Sequence, residues 1–436
     1  MKRIWACLGL LAWPVYGQYA GPAILSRGEA AFSGSQPNIS FRPFLAANAT
    51  YNTGLSNVSV DDKGDLTNHS AYGANFSWGI SGLHSWRRTK VSLIYRGAYS
   101  WVDLPGYSSP THSLLLAVQR QLARHVVLSW NTSAGWFKRD FFLVGQPQTS
   151  LYDPNTANLP STDFFDQRTI YLTSTLGLSY QRTARLSFNF AGGYATIQRG
   201  SRALFSSNSQ SAQGDVQYRL SRMSTIGAIY TFTHAGYRGV FGSTVSHSVA
   251  AAYSRALGPR VEFSGYAGVV RPEIQFLQQV QADPIIAALL GITSGTRIVH
   301  SIYYGPSLGA RISRRLETGS VWANASHGIT QGNGLFLTSE TTTLGGGYGY
   351  NGLRRWSLNA NAAYSMSQSK ANVLGEYRTL SGGLTASRSL RFNLHLTIGY
   401  QARRFQSGDY ARYNRVIHAA TVGLAWSPGE LPLRVW

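Results

Sequence analysis

The amino-acid sequence predicts an all-β chain: a closed antiparallel transmembrane β-barrel of about eighteen strands, sixteen at the fewest. Three observations predict it. Apolar and polar residues alternate with period two over long runs. The runs are joined alternately by short arginine-bearing turns and long polar loops. Composition agrees: of 436 residues 13% are charged and 13% aromatic, with 25 Tyr, 11 Trp and 46 Gly, a mixture that favours strands and turns over helices.

The chain begins with a secretory signature. Lys2 and Arg3 precede an apolar run, Ile4 to Trp13, that Pro14 ends. Val15-Tyr16-Gly17 supplies a cleavage site, so residues 1–17 are expected to be a signal peptide. The single cysteine, Cys7, falls inside it, and disulfide, zinc and thiol chemistry are not expected afterwards. No stretch reaches the roughly 18 apolar residues of a membrane helix. An exported chain without one still spans a membrane if it closes into a barrel.

The strands are read at 39–51, 68–81, 89–102, 111–121, 124–137, 168–180, 183–198, 208–220, 223–235, 245–257, 260–271, 298–312, 315–328, 337–350, 353–367, 376–388, 390–402 and 414–427. In 353–367, Trp356, Leu358, Ala360, Ala362, Tyr364 and Met366 share one face, and Ser357, Asn359, Asn361, Ala363, Ser365 and Ser367 the other. In 390–402, Phe392, Leu394, Leu396, Ile398 and Tyr400 oppose Asn393, His395, Thr397, Gly399 and Gln401. Soluble strands average about 5–6 residues. A tilted bilayer-crossing strand needs roughly 9–11, so the length of these runs favours the membrane.

Eight connections are short and basic: "GLHSWRR", "RQLAR", "QRTAR", "RLSR", "RALGPR", "RISRR", "NGLRR" and "RSLR". The others, such as 52–67, 138–167, 272–297 and 403–413, are longer and rich in Gly, Pro, Asp and Ser. This grammar resembles Gram-negative outer-membrane β-barrels of porin size. The resemblance implies short periplasmic turns, long outer loops and both termini on the short-turn side. It also implies a terminal strand closing on an aromatic residue. Trp436 ends the chain, although Pro428 and Pro432 interrupt that stretch. The expected organisation is a periplasmic segment at 18–38, the barrel at 39–427 and a tail at 428–436.

Formal net charge is +21, and seventeen turn arginines carry most of it. Arg182, Arg185, Arg219, Arg222, Arg314, Arg315, Arg354, Arg355, Arg388 and Arg391 mark a basic collar at the periplasmic rim. Arginine at a bilayer edge keeps its stem in the apolar layer and its head among phosphates. Outer-membrane phospholipid, with lipopolysaccharide on the other leaflet, is therefore the expected partner. Attraction of anionic solutes or of a periplasmic protein is the alternative, and export argues against nucleic acid.

The polar face is expected to line the lumen, with Arg96, Asn189, Asn359, Asn361, Asn393, His395, Thr397 and Gln401 meeting a solute. Residues 272–291 look helical, with Ile274, Leu277 and Val280 on one face and Ile285 and Leu289 in a second turn. They suggest a constriction loop inside an otherwise open tube.

Catalysis, cofactors and metals are not expected. The ten histidines are scattered. Asp163 and Asp166 suit a solvated loop better than a metal site. "GGGYGYNG" at 345–352 lacks the Lys-Ser/Thr and the helix of a phosphate loop. The function expected is a channel for hydrophilic solutes or for an exported glycan. A non-conducting surface or envelope scaffold is the alternative, and a hydrolase sited on the wall a weaker one.

Overall fold

The computed structural model describes residues 39–55, 69–137, 168–200, 204–281, 294–330, 337–353, 355–370, 375–408 and 414–427. They form one antiparallel sheet closed on itself. Its strands are β1 (Ile39–Leu55), β2 (His69–Ser85), β3 (Thr89–Val102), β4 (Ser109–Ala123), β5 (Val126–Phe137), β6 (Thr169–Gln181), β7 (Leu186–Arg199), β8 (Ser206–Arg219), β9 (Ser224–Arg238) and β10 (Gly242–Ala256). They continue with β11 (Val261–Gln281), β12 (Ser294–Ile302), β13 (Gly305–Leu316), β14 (Gly319–Thr330), β15 (Ser339–Tyr350), β16 (Trp356–Ser369), β17 (Glu376–Ser389), β18 (Leu394–Ser407) and β19 (Arg415–Trp426).

Neighbours in sequence pair, except that β12 and β13 both pair with β11, and β1 pairs with β19 from Leu45↔Trp426 to Asn52↔Ala419, which closes the ring. β12 and β13 keep one register along β11, with Val270↔Gly305 and Glu273↔Ile302. The break at Tyr303 and Tyr304 lies opposite Pro272, which has no N–H to give. The two pieces are therefore one wall strand, and the barrel has eighteen.

The stretch expected to be helical is extended. Residues 272–281 belong to β11, and they pair with β10 up to Phe276 and with β12 up to Gln281. The three-residue spacing of Ile274, Leu277 and Val280 mimicked a helix. The ladder instead puts Ile274 and Val280 on one face and Leu277 on the other. Ile285 and Leu289 lie outside the described residues, as do Asp163, Asp166, Arg354 and residues 1–38.

The large exposed apolar residues keep one parity in every strand: Leu176, Leu178 and Tyr180 in β6, Val249 and Tyr253 in β10, Leu380 and Leu384 in β17. The opposite parity carries Ser, Thr, Asn, Gly and Ala. The buried serines, such as Ser77, Ser187, Ser357 and Ser387, all lie on this second face. Concavity explains the difference, because a wall curving inward crowds its own side chains. The polar face is thus the inside, and the apolar face meets hydrocarbon.

Strand length fits that setting. The 14 residues of β16 cover roughly 46 Å, or about 35 Å of membrane normal at a ~40° tilt, so both ends pass the ~25 Å apolar band. At the loop end, lipid-facing histidines take the hydroxyls of tyrosines on the neighbouring strand. The pairs are Tyr95–His112 at 3.0 Å, Tyr230–His247 at 2.8 Å and Tyr400–His418 at 2.8 Å. Each polar tip that would otherwise face lipid is satisfied in this way.

Candidate functional site

The inward wall is the concave surface that chemistry can use. Its strands are tied by the ladder, so each inward side chain has a fixed height and fixed neighbours.

Arg96 stands on β3 opposite Gly79 and Ser113. Asn189 stands on β7 opposite Asp215, and its Nδ2 donates to Asp215 Oδ2 at 2.7 Å. Gln217 Nε2 donates to the same oxygen at 3.0 Å. Asn359 and Asn361 on β16 face Thr385 and Gly383 of β17. His395, Thr397 and Gln401 lie on β18 opposite Ala425, Gly423 and Ala419. Thr397 Oγ1 donates to Asn48 Oδ1 of β1 at 3.0 Å, across the seam that closes the barrel.

Asn393 is the exception. β18 starts at Leu394, and residues 390–393 turn the chain. Phe392 and Asn393 have φ of 56° and 59°, and Leu394 N–H donates to the Arg391 carbonyl at 3.2 Å. Two consecutive left-handed residues closed by that bond make a primed hairpin turn. Asn393 is therefore at the short-turn rim, exposed, and not on the inner wall. The alternation of Phe392 and Asn393 imitated one more strand step.

The collar positions divide between the faces. Arg182, Arg185, Arg222, Arg355 and Arg391 occupy turns, Arg314 and Arg388 point outward from strand ends, and Arg219 and Arg315 point inward. The wall also holds inward residues that the sequence does not single out, Asp215, Asn48 and Trp322, and Tyr266, whose place near a strand end suggests an aromatic girdle at the membrane interface instead. The period-two parity of their own strands was the signal that could have found them. Trp322 lies flat against the backbone of the next strand, where a Cβ on Gly347 would meet its Nε1 at 2.7 Å. Gly309 makes the same room for Tyr266. These contacts account for the glycine run of β15, whose Gly345, Gly347 and Gly349 oppose Asn324, Trp322 and Ser320.

Charge on the inner wall is unbalanced. Inward parity collects Arg42, Lys90, Arg96, Arg199, Arg219, Arg297, Arg311, Arg315, Arg403 and Arg415, against Asp215 and Glu262. The loop end of this wall is also packed. Phe405 lies between Arg403 and Arg415, whose guanidinium carbons are 5.7 and 5.2 Å from its ring centre. Tyr377, Phe405 and Arg415 are buried. Among the described residues no group of three or more His, Cys, Asp or Glu could hold a metal ion.

No protein-family model matches the chain, and no curated protein does. Solved structures resemble it in outline. The crystal structure of Pseudomonas aeruginosa OpdQ is 9% identical, over 91% of this chain and 98% of that one, with a TM-score of 0.42. The outer membrane protein opdK of Pseudomonas aeruginosa is 11% identical over 89% and 98%, with a TM-score of 0.43. Acinetobacter baumannii OccAB4 is 10% identical over 90% and 98%, with a TM-score of 0.41. Likenesses this distant carry no argument about what the chain does, and the barrel stands on its own closed ladder.

Proposed function

We propose that this protein is an outer-membrane channel of porin type that passes hydrophilic solutes through its lumen. The observation that carries the reading is the division of the wall: a continuous apolar face outward, and inward a face of Ser, Thr, Asn and Gln on a ring closed by β1 and β19. A closed wall of this polarity surrounds water rather than a core. Amides and hydroxyls exchange hydrogen bonds with a passing solute without holding it. The lining residues in this reading are Arg96, Asn189, Asn359, Asn361, His395, Thr397 and Gln401, joined by Asn48 and Trp322. The surplus of inward cations favours anions over cations of equal size.

The short turns then lie in the periplasm and the long loops outside, after export with residues 1–17 as a signal peptide. A second reading, a barrel that displays its loops without conducting, is favoured by the burial of Tyr377, Phe405 and Arg415 on the inward side. Planar-bilayer recording of refolded protein separates the two. Steady single-channel steps support the channel, and silence from protein that shows a heat-dependent gel shift supports the scaffold.

A further inference from the structure

The outward wall carries a feature that conduction does not use. A depression of about 590 Å³ opens on the lipid side, floored by Ala310, Ala323 and Ala362 between Ile312, Leu344 and Leu380. Small residues lower the floor and larger ones raise the rims. Hydrocarbon must fill such a hollow in a bilayer, since a void forfeits the contacts of every atom that lines it.

At its short-turn foot the hollow meets positive charge. Arg314 is the next outward residue after Ile312 on β13, roughly 7 Å further along the strand. Arg388, outward at the end of β17 with its guanidinium 5.5 Å from the centre of the Trp356 ring, lies eight residues beyond Leu380 and so roughly 26 Å along the strand from the hollow. Outward Arg120 and Arg255 continue the row around the barrel.

Among the described residues more ion pairs form at the loop end than at the short-turn end, although outward Arg238 and Arg404 at the loop end also have no carboxylate at ion-pair distance. At the loop end Arg271 pairs with Glu273, Lys370 with Glu340 and Arg378 with Glu376. At the short-turn end the ion pair recorded is Arg260 with Glu317, at 3.1 Å. Among the described residues Arg120, Arg255, Arg314 and Arg388 have no carboxylate at ion-pair distance. Outside the described residues, water, ions and the phosphates of lipid are the partners available to them at this depth.

We propose that the groove over β13 to β17, with Arg314 at its foot on β13, is a binding site for an anionic glycerophospholipid. An acyl chain fills the alanine-floored hollow, and the phosphate accepts a two-pronged hydrogen bond from a guanidinium. A second copy of the chain fits less well, because self-association over this groove would bring the same arginines together.

The test is lipid retention by the full chain in nanodiscs, read by native mass spectrometry. Phosphatidylglycerol and phosphatidylcholine are offered together, and the heat-dependent gel shift certifies folding. Wild type should keep phosphatidylglycerol selectively. R314Q should keep it about fivefold less, from about 1 kcal/mol for one arginine at an anionic surface, and R388Q, remote from the groove, should change it little. Ala362→Phe, which fills the groove and leaves the charge, should release it as well, while R314K should retain part of the selectivity. Equal retention of the two lipids by wild type, or no change in R314Q, overturns the proposal. So does inorganic phosphate that displaces phosphatidylglycerol from wild type, which would mark a bare anion site. Dissociation of an oligomer by Ala362→Phe without lipid loss would assign the groove to a second copy instead.

Discussion

At the scale of single residues, the inner wall is decided by who satisfies whom. Asp215 is an inward carboxylate whose partners are the amides of Asn189 and Gln217. Replacing it with Ala leaves those donors without their acceptor, at a cost of about 1–3 kcal/mol. The midpoint of urea unfolding, followed by the gel shift, should fall for Asp215→Ala and much less for Asp215→Asn. Tyr230 and His247 follow the same logic on the lipid side, since His247→Ala leaves a tyrosine hydroxyl facing hydrocarbon. That variant should unfold at lower urea, and adding Tyr230→Phe should restore most of the loss.

At the scale of elements, hairpins rather than isolated strands are the working unit. The turn at Arg391–Leu394 holds Phe392 in a left-handed conformation at φ 56°, which costs a bulky residue roughly 1–2 kcal/mol. Phe392→Gly should therefore raise the unfolding midpoint, and Asn393→Val should lower it, in the same assay. The hairpins were legible in the sequence because two signals coincided there: alternation that stopped, and arginines that started. What was not legible has two physical causes. Ile274, Leu277 and Val280 are spaced as a helix would space them, and only pairing with β10 and β12 decides for a strand. Phe392 and Asn393 extend a true alternation by one false step, because side-chain chemistry does not report a change in the sign of φ.

At the scale of the whole molecule, the barrel sets a potential and an orientation. The inward surplus of arginine predicts that a salt gradient across a bilayer gives a reversal potential of the anion-selective sign. Removing inward charge, as in Arg96→Gln, should move it toward zero, while Leu384→Gln on the outer wall should leave it unchanged. The face that lines the lumen could be read from the sequence, because its side chains are named by parity alone. Asp215 and Trp322 carry the same parity signal in their own strands; what no single segment reports is their cross-strand partners, Asn189 and Gly347, which the register of the closed ring sets.

The most direct test of the central claim, that polar side chains enclose water while apolar ones meet lipid, is spin-label accessibility along β17. Labels are placed one at a time through cysteines at positions 380, 381, 383, 384 and 385 in a chain whose one native cysteine is Cys7. A water-soluble nickel reagent should relax labels at 381, 383 and 385, and dissolved oxygen those at 380 and 384. The reverse alternation, or equal access of the nickel reagent to both sets, would contradict that claim.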